Sequence, residues 1–183
     1  TYTVTATNTA SGCTATDTVV VTVDTTLPVA NAGTDFTKTC TTNATGLEIG
    51  ATAVAGVTYA WTPTTGLSDA TVANPTANPT ATTTYTVTAT NTASGCTATD
   101  TVVVTVDTTL PVANAGSDFT KTCVTNPTGL EIGATAVAGV TYAWTPATGL
   151  SDATVANPTA NPTATTTYTV TATNTASGCT ATD

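Results

Sequence analysis

The chain has no histidine, no methionine and no arginine, and its whole positive charge is Lys38 and Lys121. General acid–base catalysis usually recruits histidine or paired carboxylates. Here the acids of one repeat, Asp35, Glu48, Asp69, Asp100 and Asp107, stand singly. The composition predicts no catalytic residues: the chain is not read as an enzyme. A phosphate backbone needs several cationic contacts, so two lysines against a net charge of −9 exclude nucleic acid as a partner. Attraction to anionic lipid fails for the same reason. No apolar run nears the roughly 20 residues that span a bilayer, so this segment is not expected to insert in a membrane. Charged residues make up 7% and aromatics 5%, far from the profile of a charge-rich cytosolic enzyme.

Threonine takes the place of charge, with 27 in the first 83 residues. It is β-branched, suits a pleated surface and keeps a polar edge toward water. The sequence also repeats. Residues 1–83 align with 84–166 with four differences: Thr34/Ser117, Thr41/Val124, Ala44/Pro127 and Thr64/Ala147. A third copy starts at Thr167 and runs to Asp183. A tandem array presents one surface many times and has no unique pocket, which favours a structural, spacing or multivalent role. The phase, mid-pattern at both ends, predicts a window on a longer array.

Asp24-Thr25-Thr26-Leu27-Pro28 and Asp107-Thr108-Thr109-Leu110-Pro111 are the expected linkers. Each follows a strong strand pattern and ends in a proline, which cannot donate to a ladder. The frame is therefore 1–24, the last strands of a preceding repeat; 25–107, a complete repeat; and 108–183, a repeat lacking its last strand. Within 25–107 the period is two. Leu47, Ile49, Ala51 and Ala53 form one inward set; Val57, Tyr59 and Trp61 a second; Tyr85, Val87 and Ala89 a third; Val102, Val104 and Val106 a fourth. Short alternating strands at this spacing predict an all-β fold of β-sandwich domains. Trp61 and Trp144 are expected in the core.

The five cysteines, at 13, 40, 96, 123 and 179, fall two per repeat. A structural zinc site wants four ligands at close spacing, which are absent. The pattern reads as one disulfide per domain in an oxidising, extracellular setting. Two pairings are open: Cys40–Cys96 with Cys123–Cys179 inside domains, or Cys13–Cys40 with Cys96–Cys123 across boundaries. The first is preferred, because a bond within one core needs no particular angle between neighbours. Closing such a loop is worth roughly 4 kcal/mol.

Three segments carry a family resemblance. Val57-Thr58-Tyr59-Ala60-Trp61-Thr62-Pro63 resembles the tryptophan-bearing strand of PKD-like immunoglobulin-like (Ig-like) domains. Asn78-Pro79-Thr80 followed by Thr84-Tyr85-Thr86-Val87-Thr88 is similar to their NPT…TYTVT segment. Gly95-Cys96-Thr97-Ala98-Thr99-Asp100 and the valines after it resemble the final strand of repeats in giant cell-surface adhesins of Bacteroidota, including SprB-type gliding adhesins. Thr62-Pro63-Thr64-Thr65-Gly66 departs from the aromatic-Gly-Asp-Gly turn usual after the tryptophan strand, so no function of that turn is carried over. The resemblance implies tandem Ig-like (PKD-like) β-sandwich domains arranged end to end, the shaft of a bacterial adhesin or filament at the cell surface. The alternative is a multivalent module binding glycan or substratum weakly through many copies.

Remaining candidates are few. Lys38 shares strand parity with Phe36 and Cys40, both expected inward, so its amine is a candidate for an isopeptide bond or for snorkelling at a strand end. No cofactor is expected beyond calcium, which wants six to eight oxygens; Asp24, Asp35, Asp107 and Asp118 flank the linkers and are its candidate ligands. Asp-Thr-apolar and related sites make Thr25 and Thr108 in the linkers, and Thr18 and Thr101 in strands, candidates for O-glycosylation. The expected partners are neighbouring repeats of the same chain, with lateral self-association between chains a further possibility.

Overall fold

A computed structural model describes residues 1–183 as thirteen β-strands and no helix. The first two, β1 (Tyr2–Thr7) and β2 (Thr14–Val19), form an antiparallel hairpin that stands exposed. The first complete repeat holds β3 (Phe36–Lys38), β4 (Leu47–Glu48), β5 (Val57–Thr62), β6 (Thr76–Ala77), β7 (Thr83–Asn91) and β8 (Thr97–Val106). The second holds β9 (Leu130–Glu131), β10 (Val140–Thr145), β11 (Thr159–Ala160), β12 (Thr169–Asn174) and β13 (Thr180–Thr182).

In the first repeat the larger sheet runs β3-β8-β7-β5, and β4 pairs with β6 in the smaller one. The tryptophan strand lies beside the penultimate strand, and that strand beside the last, as in the C-F-G sheet of an Ig-like sandwich. β7 and β8 pair antiparallel over eight residues, from Thr83↔Val104 to Thr90↔Thr97. β3 runs parallel to β8, with Phe36 opposite Val104 and Lys38 opposite Val106. This parallel pair decides where the cysteines go.

The core lies between the sheets: Ala32, Ile49, Trp61, Ala77, Tyr85, Val87, Val102 and Val104, all buried. Period-two alternation puts Tyr85, Val87 and Ala89 inside on β7, and Val102 and Val104 inside on β8. Burying each large apolar side chain contributes about 1.5–3 kcal/mol. Trp61 is 1% exposed, and its indole N–H donates to the Val72 carbonyl at 2.9 Å. Trp144 is 3% exposed with the same bond to Val155.

The expected strand from Leu47 to Ala53 is shorter than the alternation implies. β4 stops at Glu48; Leu47 is 44% exposed and Ile49 is buried. Gly50 ends the pairing by adopting φ +84°, where a side chain would strike the Ala73 carbonyl and sit 3.0 Å from the Trp61 ring. Only glycine lets the backbone pass that close.

The second repeat has the same layers, shortened. Its β13 has three residues where β8 has ten, because residues 101–106 have no counterpart before Asp183. A cleft of about 1090 Å³, lined by Phe119, Lys121, Ile132, Trp144 and Tyr168, occupies the place that Val102 and Val104 fill in the first repeat. It is the bed of a strand, polar and apolar by turns as a strand requires. Tyr168 is consequently half-exposed where Tyr85 is buried.

Candidate functional site: the junction between the repeats

The most distinctive chemistry is a disulfide between Cys40 of the first repeat and Cys179 of the second, with Cα atoms 5.1 Å apart. The expected pairs Cys40–Cys96 and Cys123–Cys179 are not formed; Cys13, Cys96 and Cys123 are free thiols. The parallel β3–β8 pair is the reason. Cys40 follows β3 and so lies beyond Val106, at the end where the chain leaves the repeat. Cys96 precedes Thr97 at the opposite end of β8. Ten strand residues separate those ends by roughly 30 Å, and a disulfide tolerates no more than about 7 Å between Cα atoms. Cys13, on the β1–β2 turn, is also left without a partner, so the boundary-crossing pair Cys13–Cys40 is absent too.

Two preformed loops meet at the bond. In the first, Thr39 Oγ1 accepts from the N–H groups of Thr41 and Thr42, the Thr39 N–H donates to the Thr42 carbonyl, and Asn43 takes φ +49°. In the second, Asn174 Oδ1 accepts from Ala176 N–H and Ser177 N–H, and Gly178 closes the turn onto the Asn174 carbonyl. Between them the Cys40 N–H donates to the Ser177 carbonyl at 3.1 Å. Thr39, Ser177 and Cys179 are buried. Thr41 covers Gly178 so closely that a side chain there would lie 2.5 Å from its hydroxyl and 2.7 Å from its methyl.

The same turn clamps the linker. Ser177 Oγ and Asn174 Nδ2 both donate to the Thr109 carbonyl, at 2.9 and 3.2 Å. Ser94 and Asn91 hold the Thr26 carbonyl likewise, at 3.0 and 3.3 Å. On the exit side the Asp107 N–H donates to the Lys38 carbonyl at 3.0 Å. Pro28 and Pro111 are buried. Each linker is thus hydrogen-bonded to the repeat it enters.

The other sequence candidates are dispersed. Lys38 is half-buried, and its amine donates to the Pro79 carbonyl at 2.9 Å; Lys121 does the same to Pro162 at 3.1 Å. Cys40, expected inward beside Lys38, is exposed because β3 has already ended. Asp100 accepts from the Ala32 N–H and Asp35 from the Val103 N–H, both at 2.8 Å, so each carboxylate ties an early loop to the last strand. Asp24 and Asp107 cap the linker turns by accepting from Thr26 N–H and Thr109 N–H. Hydrogen bonding to those threonines holds both carboxyls below the usual carboxylate range. Neither these two nor Asp35 and Asp118 join a group of three ligating side chains. Thr18, Thr25, Thr101 and Thr108 are all exposed.

No family model and no curated protein matches the sequence. Among solved structures the human desmocollin-1 ectodomain is similar over 95% of this chain, at 13% identity and a TM-score of 0.38. The chain spans 40% of the length of that ectodomain. So loose a likeness adds nothing to the strand order described above.

Proposed function

We propose that the chain is part of the shaft of an extracellular bacterial surface adhesin or filament, related to the SprB-type gliding adhesins its sequence resembles. The observation that carries this reading is the Cys40–Cys179 bond. A bond from one repeat to the next builds no pocket; it fixes the spacing and angle between neighbours. Disulfides persist in oxidising compartments, which supports a place outside the cell, at its surface. Asp24, Asp35, Asp100 and Asp107 are each committed to a backbone N–H, which supports a non-enzymatic role.

The linker geometry supports a stiff rod. Each linker is short, ends in a buried proline and is held by two side-chain donors. With ten residues in β8, a repeat adds roughly 33 Å along the strands, or about 40 Å with its linker. A disulfide and a backbone hydrogen bond secure the junction. Thr25 and Thr108, exposed in the linkers, are the favoured positions for O-glycans. The rival reading, avid glycan binding, asks for exposed rings, and both tryptophans are buried.

Immunogold electron microscopy of intact source cells tests the proposal. Labelled slim rods outside the cell, beaded every 40 Å or so, are expected. Label confined to the cell interior, or strings with freely varying angles between beads, would contradict it.

A further inference from the structure

The loop and the turn that meet at Cys40 and Cys179 occur again, unpartnered. The second repeat carries the loop at Thr122–Asn126: Thr122 Oγ1 accepts from the Val124 and Thr125 N–H groups, and Asn126 takes φ +51°. The first repeat carries the turn at Asn91–Cys96, with Asn91 Oδ1 accepting from Ala93 N–H and Ser94 N–H. Their hydrogen-bond patterns are those of the joined copies, so neither needs reshaping to dock. Thr122 is exposed where Thr39 is buried, and Ser94 and Cys96 are half-buried where Ser177 and Cys179 are buried.

Val124 supplies an independent sign. It replaces Thr41, whose side chain covers Gly178. In this chain Val124 touches no such glycine and is 88% exposed, the largest value among the exposed large apolar side chains. Valine has the branched shape of threonine with a methyl in place of the hydroxyl, so it presents a similar outline to a glycine-bearing turn and gains from being covered.

We infer that these are two halves of a recurring interface whose occupant is a further copy of the same repeat. The Thr122–Asn126 loop receives the Asn-Thr-Ala-Ser-Gly-Cys turn of a following repeat, and the Asn91–Cys96 turn receives the loop of a preceding one. Cys123 then closes onto the late cysteine of the following repeat. The two thiols lose two protons and two electrons to a disulfide-bearing oxidant, which leaves as a dithiol. The inference stands on the contact at Cys40 and Cys179, whatever the array carries. Its consequence is covalent: each bond bridges 139 residues, more than one 83-residue period, so successive bonds overlap along the chain.

The test lengthens this chain after Asp183 by one repeat with the sequence of residues 18–100, so that the added early cysteine lies in a peptide of first-repeat sequence and only Cys123 lies in one of second-repeat sequence. Cleavage before aspartates under non-reducing conditions releases peptides 35–68 and 118–151, which differ at positions 41/124, 44/127 and 64/147. In the 183-residue chain Cys123 is expected to alkylate fully. In the lengthened chain its free peptide should fall at least tenfold and reappear joined to a late-cysteine peptide. Cys123 still alkylated in the lengthened chain, or joined only between separate molecules, would overturn the inference. Val124→Asp gives a second readout. It should leave the thermal midpoint of the 183-residue chain unchanged and slow Cys123 oxidation severalfold in the lengthened one; equal oxidation rates would also count against the interface.

Discussion

One six-residue turn, Asn-Thr-Ala-Ser-Gly-Cys, occurs in the first repeat at 91–96 and in the second at 174–179, with the same internal hydrogen bonds. Around Gly95 there is open space; Gly178 lies against Thr41. Ser94 is half-buried and Ser177 fully buried. Sequence, turn type and linker clamp are common to both, so what differs is the neighbour. The turn is built by its own residues, and the repeat before it decides whether it is a surface or an interface. A repeated sequence thus contains its own control: a residue's contribution to the junction is its value in one copy less its value in the other.

Breaking the bond itself should have the largest effect. A disulfide closing 139 residues stabilises by about 5 kcal/mol in the chain-entropy account. Cys40→Ser or Cys179→Ser should lose most of that in denaturant unfolding, whereas Cys96→Ser and Cys123→Ser should lose almost none. Equal losses at all four would erase the distinction between the copies.

Next come the cores. Trp61→Ala should cost about 3–5 kcal/mol, read as a shifted urea midpoint. Trp144 borders the open strand bed, where the surroundings can relax, so Trp144→Ala should cost less. The reverse order would mean that the cleft is closed in solution.

A finer contrast uses the paired glycines. Both have left-handed φ, +73° at Gly95 and +67° at Gly178, so alanine strains the backbone equally. Only at Gly178 does it also collide with Thr41. Gly178→Ala should therefore destabilise more than Gly95→Ala by about 1–3 kcal/mol, and Thr41→Gly should remove the difference. Matching values for the two alanine variants would place Thr41 elsewhere.

The smallest effects are those of pH. Threonine hydrogen bonds lower the carboxyls of Asp24, Asp69, Asp107 and Asp152 in the folded state. Each then favours folding above its unfolded value near 3.8, and the benefit is lost as pH falls through the depressed folded value. Asp24, Asp69 and Asp152 are exposed and Asp107 only half-buried, so melting temperature should slip only slightly below about pH 4. At the alkaline end, burial raises Tyr85 above its ordinary value of 10.0. Its neutral form is favoured while folded, so stability is full below that value and declines as pH rises through the raised one. The tyrosinate absorbance of Tyr85 should lag until its repeat unfolds.

Much of the sandwich is legible in the sequence, because period-two valines and tyrosines on β7 and β8 answer to a single physical demand, one wet face and one dry. β4 was less legible: its alternation continues past Gly50, but a glycine at positive φ ends the strand and no side-chain pattern records that. The cysteines show the sharper limit. Their spacing says two per repeat and is silent on which poles they occupy. That depends on β3 running parallel to β8, a three-residue strand too short to announce its direction. Once the direction is known, the pairing inside a repeat is ruled out by length alone.

Non-reducing peptide mapping of the 183-residue chain tests the central claim most directly. Peptide 35–68 is expected crosslinked and peptide 118–151 wholly alkylated, with the crosslink lost in Cys179→Ser and kept in Cys96→Ser. Crosslinks on both early-cysteine peptides, with Cys96→Ser freeing Cys40, would show that each disulfide lies inside its own repeat and would contradict the junction outright.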